Sequence, residues 1–315
     1  MINTKSALVT GAHGFIGRNL AKQLATSGYR VAGLGHGFWS DAEALKWGIS
    51  HWINGDINLE NLIQLNYLAG TPVAVFHLAG GGSVGAAINY PRADFYRSVA
   101  STVELLDWVR LHAPKATLVV ASSAAVYGDG HVGPICEDSK LNPFSQYGWH
   151  KQIMENLCLS YKSSYDINLI IGRLFSVYGA GLKKQLLWDL CNKLYLGEGT
   201  LLLDGSGNEL RDFIHVHDAV RALELLITKA SRNVSVYNIG TGIGFSVRDL
   251  VSLVVQELNS FRLAKDINFN SISRKGDPLS LVADITQLKQ LGFLPKKSLS
   301  EGVVDYINWF GDEIR

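Results

Sequence analysis

Tyr147 and Lys151 stand four residues apart in SQYGWHKQIMEN (145–156), a spacing that stacks two side chains on one helix face. A phenol beside an ammonium is a candidate proton donor and acceptor. Free tyrosine titrates near 10, and a neighbouring positive charge favours its ionised form. Ser122 and Ser123 follow the apolar run LVV at 118–120, where a hydroxyl can reach a reacting oxygen, although two serines after a strand also make an ordinary turn. TGAHGFIG at 10–17 suggests a different chemistry. Gly11, Gly14 and Gly17 follow a strand-like SALVT and open a helix, so backbone can approach a pyrophosphate and the helix start can offer it free N–H groups. Thr10, Phe15 and Ile16 complete that turn. Asp56 and Ile57, in NGDI, end a third strand where a carboxylate can accept from an adenine amino group. Leu78, Ala79 and Gly80 of HLAGG leave room for a cofactor along the strand ends, and Ser83 follows on the substrate side. His215 and His217 would share one strand face, but no third ligand accompanies them, so no metal is expected.

These groups need a frame. Short, nearly unbroken apolar runs recur at 7–9, 73–76, 118–120 and 169–171, as in strands covered on both faces. Between them lie segments of helical period, such as the stripe Phe95, Val99, Val103, Leu106 and Val109. The alternation predicts an α/β fold with a doubly wound parallel sheet over residues 1–172, with a contribution from about 208–235. Beyond residue 173 the pattern loosens. Gly-rich turns separate a helix at about 182–195, strand–helix units near 212–229 and 235–257, and a closing helix at about 298–311. Residues 173–315 are therefore expected to form mainly a smaller, interleaved substrate domain.

The chain has 315 residues, 47% hydrophobic and 18% charged, enough for a large core and far from a disordered composition. A formal charge of +1 gives no long-range pull toward nucleic acid or an anionic membrane, so any anion must be held locally. No apolar run approaches the roughly 18 residues that span a bilayer. Three widely spaced cysteines (Cys136, Cys158 and Cys191) suggest neither a disulfide framework nor a zinc site. A cytoplasmic setting is expected.

With T-G-x-x-G-x-x-G at 10–17, HLAG at 77–80, SSAAVYG at 122–128 and Tyr-x-x-x-Lys at 147–151, the chain resembles the extended short-chain dehydrogenase/reductases that act on nucleotide sugars. RLFSVYG at 173–179, RDFIHVHD at 211–218 and RKGD at 274–277 complete the set, and the resemblance covers nearly the whole chain. It implies a Rossmann-type domain binding NAD(H) or NADP(H), a nucleoside-diphosphate sugar as substrate, and a homodimer formed through helices near 92–111 and 145–164. It makes Tyr147 the acid/base, Lys151 its partner and ribose contact, and Ser123 the hydroxyl that bonds the substrate oxygen. Arg211 and Arg274 match arginines that hold the diphosphate, a task suited to a bidentate guanidinium; salt bridges to Asp212 and Asp277 are the alternative.

Departures narrow the reaction. Ala124 and Ala125 stand where 4,6-dehydratases carry an acid and a base, so that activity is not expected. Ala124 also replaces the cysteine of reductases that epimerise at carbons 3 and 5. Gly35 replaces the aspartate with which NAD-using epimerases bond the adenosine ribose, and Arg18 and His36 could face a 2′-phosphate. Ser98 and Ser176, the latter a substrate-loop residue, replace asparagines usual in 4-epimerases. The leading expectation is therefore an NADP(H)-dependent 4-keto-hexose reductase. The alternatives are an NAD-dependent 4-epimerase and, less favoured, a non-catalytic dinucleotide-sensing binder.

Overall fold

The computed structural model describes residues 5–196, 201–259, 267–272 and 278–315. The first half alternates strand and helix: β1 (Ser6–Thr10), α1 (Phe15–Thr26), β2 (Arg30–Gly35), α2 (Asp41–Lys46), β3 (Ile49–Asn54), α3 (Leu59–Ala69) and β4 (Ala74–His77). Then come α4 (Val84–Asn89), α5 (Pro91–Phe95), one π turn at Tyr96–Ala100, α6 (Ser101–His112), β5 (Thr117–Ser123), a 3-10 turn at Ala124–Val126, α7 (Gln146–Tyr165) and β6 (Leu169–Leu174).

The second half holds β7 (Ser176–Tyr178), α8 (Gln185–Leu196), β8 (Leu201–Leu203), β9 (Leu210–Arg211), β10 (Phe213–His215), α9 (Val216–Lys229) and β11 (Val236–Ile239). It ends with β12 (Phe245–Ser246), α10 (Val247–Asn259), β13 (Ile267–Phe269), β14 (Ser280–Leu281), α11 (Thr286–Gln290) and α12 (Leu299–Glu313).

Seven parallel strands form the main sheet in the order β11-β6-β5-β4-β1-β2-β3. The apolar runs read from the sequence are its central strands, and residues of β1, β4, β5 and β6 feed one hydrophobic cluster on each face. Chain direction across the sheet reverses between β1 and β4, which opens a crevice at their carboxyl ends. The α/β, Rossmann-type reading is therefore correct. The late strand β11 joins this sheet beside β6, just beyond the stretch 208–235, and α9 packs on α1. A third cluster, containing Tyr178, Leu190, Phe213, Leu250 and Phe310, is the core of the smaller lobe.

One local expectation fails. His215 and His217 do not share a strand: β10 ends at His215, whose ring Nδ1 accepts from the His217 backbone N–H and caps α9. Burial, with His217 and Lys297, pushes His215 down to about 4, so its ring is neutral and serves as an acceptor. Among the described residues no group of three or more His, Cys, Asp or Glu side chains could hold a metal. Nor is any described helix long and apolar enough to cross a membrane.

Candidate active site

Two strand ends and one helix bring the chemistry together. α7 starts at Ser145, whose hydroxyl accepts from the Gly148 N–H at 3.1 Å. Gly148 weakens the helix intrinsically, yet any side chain there would meet the Ala125 carbonyl oxygen at 2.6 Å. That close approach sets Tyr147 against the end of β5. Ser123 faces the phenol and by hydrogen bonding favours its ionised form, against burial, which pushes Tyr147 up, and against the Asp94 carboxylate, which also does so. Lys151 is 95% buried in effect, with only 5% of its surface exposed. Its Nζ donates to the Ala121 carbonyl at 2.9 Å and lies 5.9 Å from the centre of the Tyr147 ring. Burial brings Lys151 down to about 8. The sequence spacing put both side chains on one helix face, and they do lie side by side; the phenol, however, is raised rather than lowered, because burial outweighs the Ser123 hydrogen bond.

The neighbouring serine has other work. Ser122 donates to Glu155 at 2.5 Å, and Glu155 is paired with Arg173 at 2.8 Å in a buried network that also includes Tyr127 and Asn238. This network ties β5, α7 and β6 together and leaves Ser123 as the hydroxyl on the Tyr147 side. Thr10 is likewise committed: its hydroxyl pairs with His77 Nδ1 at 2.7 Å, and the other ring nitrogen pairs with Thr102 at 2.9 Å. Burial holds His77 near 3, a neutral strut under the cofactor turn.

A cavity of about 480 Å³ runs along the strand ends, bounded by Gly11, Gly14–Gly17, Gly80–Ser83, Ser123, Tyr147 and Lys151. Its floor fits a dinucleotide. A methyl group on Gly11 would stand 2.7 Å from the Ala79 nitrogen, and one on Gly17 2.1 Å from the Gly11 oxygen, so the turn folds this tightly only as glycine. No side chain caps the start of α1, whose first N–H groups are available to a phosphate. Ala124 and Ala125 line the same cavity and offer no acid or base. Ser176 borders this cavity and a second one, of about 520 Å³, into which Arg211 projects with Lys193, Asp204 and Gln185. Asp212 does not pair with that arginine. It is buried and accepts from Thr241, Gly242 and Ala283, fastening β9 to the sheet end. Arg274 lies outside the described residues.

The residues expected to face a 2′-phosphate have partners within the protein. Arg18 Nη2 donates to the Gly181 carbonyl at 2.7 Å and its guanidinium lies 5.2 Å over Trp47, linking α1 to the smaller lobe. His36 pairs with the exposed Asp56 carboxylate at 2.8 Å, and Ile57 is buried behind it. Gly35 packs on the turn, where a methyl would sit 3.3 Å from Gly11 Cα. Sequence reasoning missed two features. Lys184 reaches from the smaller lobe to the Gly82 carbonyl at the cavity mouth, 3.3 Å away, and Asp94 pairs with His150 beside the catalytic helix turn. The doubled lysine of GLKKQ and the histidine inside Tyr-x-x-x-Lys were the signals available.

The profile of the NAD dependent epimerase/dehydratase family matches residues 7–240. The chain belongs to that family. It is 32% identical to the UDP-glucose 4-epimerase of Dictyostelium discoideum, with 96% of this chain and 94% of that one aligned. A solved structure, MoeE5 in complex with UDP-glucuronic acid and NAD, is 33% identical with a TM-score of 0.83, covering 98% of this chain and 99% of that one. The UDP-glucose 4-epimerase of Thermotoga maritima, solved with UDP-glucose, is 27% identical with a TM-score of 0.86, covering 98% and 100%. This epimerase/dehydratase-family protein is thus an NAD(P)-dependent nucleotide-sugar enzyme, and its relatives favour the epimerase alternative over the reductase.

Proposed function

We propose that the protein is an NAD-dependent 4-epimerase of a uridine-diphosphate hexose or hexuronate, working as a cytoplasmic homodimer. The observation that carries this reading is the convergence of Ser123, Tyr147 and Lys151 on one cavity whose remaining loop positions, Ala124 and Ala125, cannot move protons. Tyr147 takes the proton of the sugar 4-hydroxyl as the carbon–hydrogen bond at carbon 4 breaks, and returns it to the same oxygen after the keto sugar has turned over. Ser123 holds that oxygen, and Lys151 holds the cofactor ribose and favours the phenolate. Bound NAD supplies the hydride acceptor and donor at carbon 4, and its positive ring adds to the pull on the phenol. The Gly11–Gly17 turn would hold the pyrophosphate, with Leu78–Gly80 along its side and Asp56 at the adenine. Ser83, Ser176 and Arg211 would line the sugar nucleotide's path, and Lys184 would meet its anionic part.

Engagement of Arg18 with Gly181 and Trp47, and of His36 with Asp56, supports NAD over NADP, because both side chains proposed for a 2′-phosphate already have partners. A dimer through α6 and α7 is supported by large exposed side chains, Tyr96 in the turn before α6 and Trp149 and Leu159 on α7. The test is turnover. Purified protein with UDP-glucose or UDP-glucuronate should form the 4-epimer with no net change in NAD. Stoichiometric oxidation of NADPH by a 4-keto sugar, without epimer, would restore the reductase.

A further inference from the structure

Behind the Tyr147–Lys151 pair lies a second pair of ionisable side chains that the reaction as described does not use. His150, one residue before Lys151 on α7, places Nδ1 2.5 Å from Oδ2 of Asp94 on α5. Both side chains are almost wholly buried, 9% and 4% exposed. Asp94 presses its other oxygen on the cofactor turn: a methyl group on Gly81 would overlap Oδ1 at 1.7 Å. On the neighbouring residue, a methyl on Gly80 would meet Lys151 Nζ at 3.4 Å and Ser98 Oγ at 3.3 Å. Ser98 fixes the same turn by accepting from the Gly81 N–H at 2.9 Å. The Gly80–Gly81 backbone is thus clasped between the Asp94 carboxylate and the catalytic ammonium.

We propose that Asp94 and His150 are a positioning pair, which holds the Gly80–Gly82 turn against Lys151 and balances the charge felt by Tyr147 and Lys151. The proposal rests on the epimerase reading for its turnover assay alone. The other charges near the site are already spoken for. Glu155 is bound by Arg173 and Ser122. His77, from β4, is neutral through burial and the nearby Lys151. Cys158 is kept protonated by burial and Glu155. Lys184 faces the turn from the smaller lobe through the Gly82 carbonyl, and Ser123 faces the phenol from β5. Asp94 is the carboxylate whose influence reaches both catalytic groups, opposing ionisation of Tyr147 and sustaining the charge on Lys151. The His150 ring, 2.5 Å from Oδ2, fixes where that carboxylate sits.

Two substitutions separate positioning from mere packing. Asp94→Asn removes the negative charge but keeps the shape, and His150→Asn keeps a donor near Nδ1 but removes the ring that holds the carboxylate. With NAD bound, the acid limb of the kcat/KM profile should move to lower pH in Asp94→Asn by about one unit, the low end for a charge a few ångströms away. His150→Asn leaves that charge but frees it from its place over Gly81, so the NAD dissociation constant should rise severalfold. Phenolate absorbance of the same NAD-bound proteins, corrected with Tyr147→Phe, gives the titration without any sugar. A downward shift in Asp94→Asn with weaker NAD binding in His150→Asn supports the pair even if no sugar turns over, a result that would sink the epimerase reading instead. An unmoved titration in Asp94→Asn, or unchanged NAD binding in His150→Asn, overturns the proposal however far kcat falls. If Asp94→Asn does not fold, NAD binding by His150→Asn decides alone.

Discussion

The cofactor wall of the cleft, residues 10–17 and 78–82, is made largely of backbone, whereas the wall proposed for the substrate is made of side chains sent from separate elements. Gly11, Gly14 and Gly17 occupy one loop and the first turn of α1, and what they contribute is the lack of a side chain. Ser176, Lys184, Lys193 and Arg211 come from β7, the turn before α8, α8 itself and β9. A wall of backbone tolerates almost no substitution but recognises a group common to many ligands. A wall of side chains can be re-cut one residue at a time, and the proposed function puts the choice of sugar there.

The largest effect expected to sharpen this contrast comes from the group between the walls. Tyr147→Phe removes one hydroxyl and touches neither wall, so NAD affinity and folding should stay as they are. Turnover should fall by about 10²–10⁴, the usual worth of a placed acid/base. Calorimetric titration with NAD beside a steady-state assay checks it. A variant that loses NAD binding in step with turnover would show that the phenol belongs to the cofactor wall.

The same contrast explains what the sequence disclosed. Backbone recognition compresses into a contiguous signature, so TGAHGFIG and HLAGG could be read directly, and Tyr-x-x-x-Lys survived because one helix turn holds both members. Lys184 was not legible, because its meaning depends on Gly82, 102 residues away, across a cleft that no local pattern encodes. The partner of Arg18, the Gly181 carbonyl, was hidden for the related reason that it lies 163 residues on. Asp94 and His150 are 56 residues apart, and no local pattern pairs them before α5 is laid on α7. His215 was misplaced because β10 is only three residues long, too short to show its period before α9 begins.

A middle-sized effect should come from the substrate wall. Lys184 is held partly out of water, and burial lowers it from its ordinary value, as suits an ammonium waiting for an anion. A charge-assisted hydrogen bond is worth roughly 1.5–3 kcal/mol, about tenfold to a hundredfold in affinity. Lys184→Met should raise KM for the nucleotide sugar by about that factor and leave the NAD dissociation constant unchanged. An unchanged KM would move Lys184 out of the substrate's path and leave it as a strut to Gly82.

The smallest effect concerns stability, and it lies on the cofactor side. Lys151 titrates near 8 in the fold against 10.5 for an unperturbed lysine, chiefly because it is buried, with Asp94 and Glu155 acting the other way. Below about pH 8 both folded and unfolded chains carry the proton, and the burial cost is present in full. Between about 8 and 10.5 the unfolded chain binds more protons than the folded one, so stability contributed through this group rises with pH across that window. Lys151→Met removes the buried charge, and with it the hydrogen bond to the Ala121 carbonyl, itself worth about 1 kcal/mol. The variant should therefore be more stable than the parent at neutral pH by on the order of 1–2 kcal/mol. That advantage should shrink as the pH approaches about 10, while turnover is lost throughout. Urea melts of both proteins at the two pH values decide it. A methionine variant less stable than the parent at both would mean that the ammonium is held at no cost, and that this side of the cleft stores no strain for function.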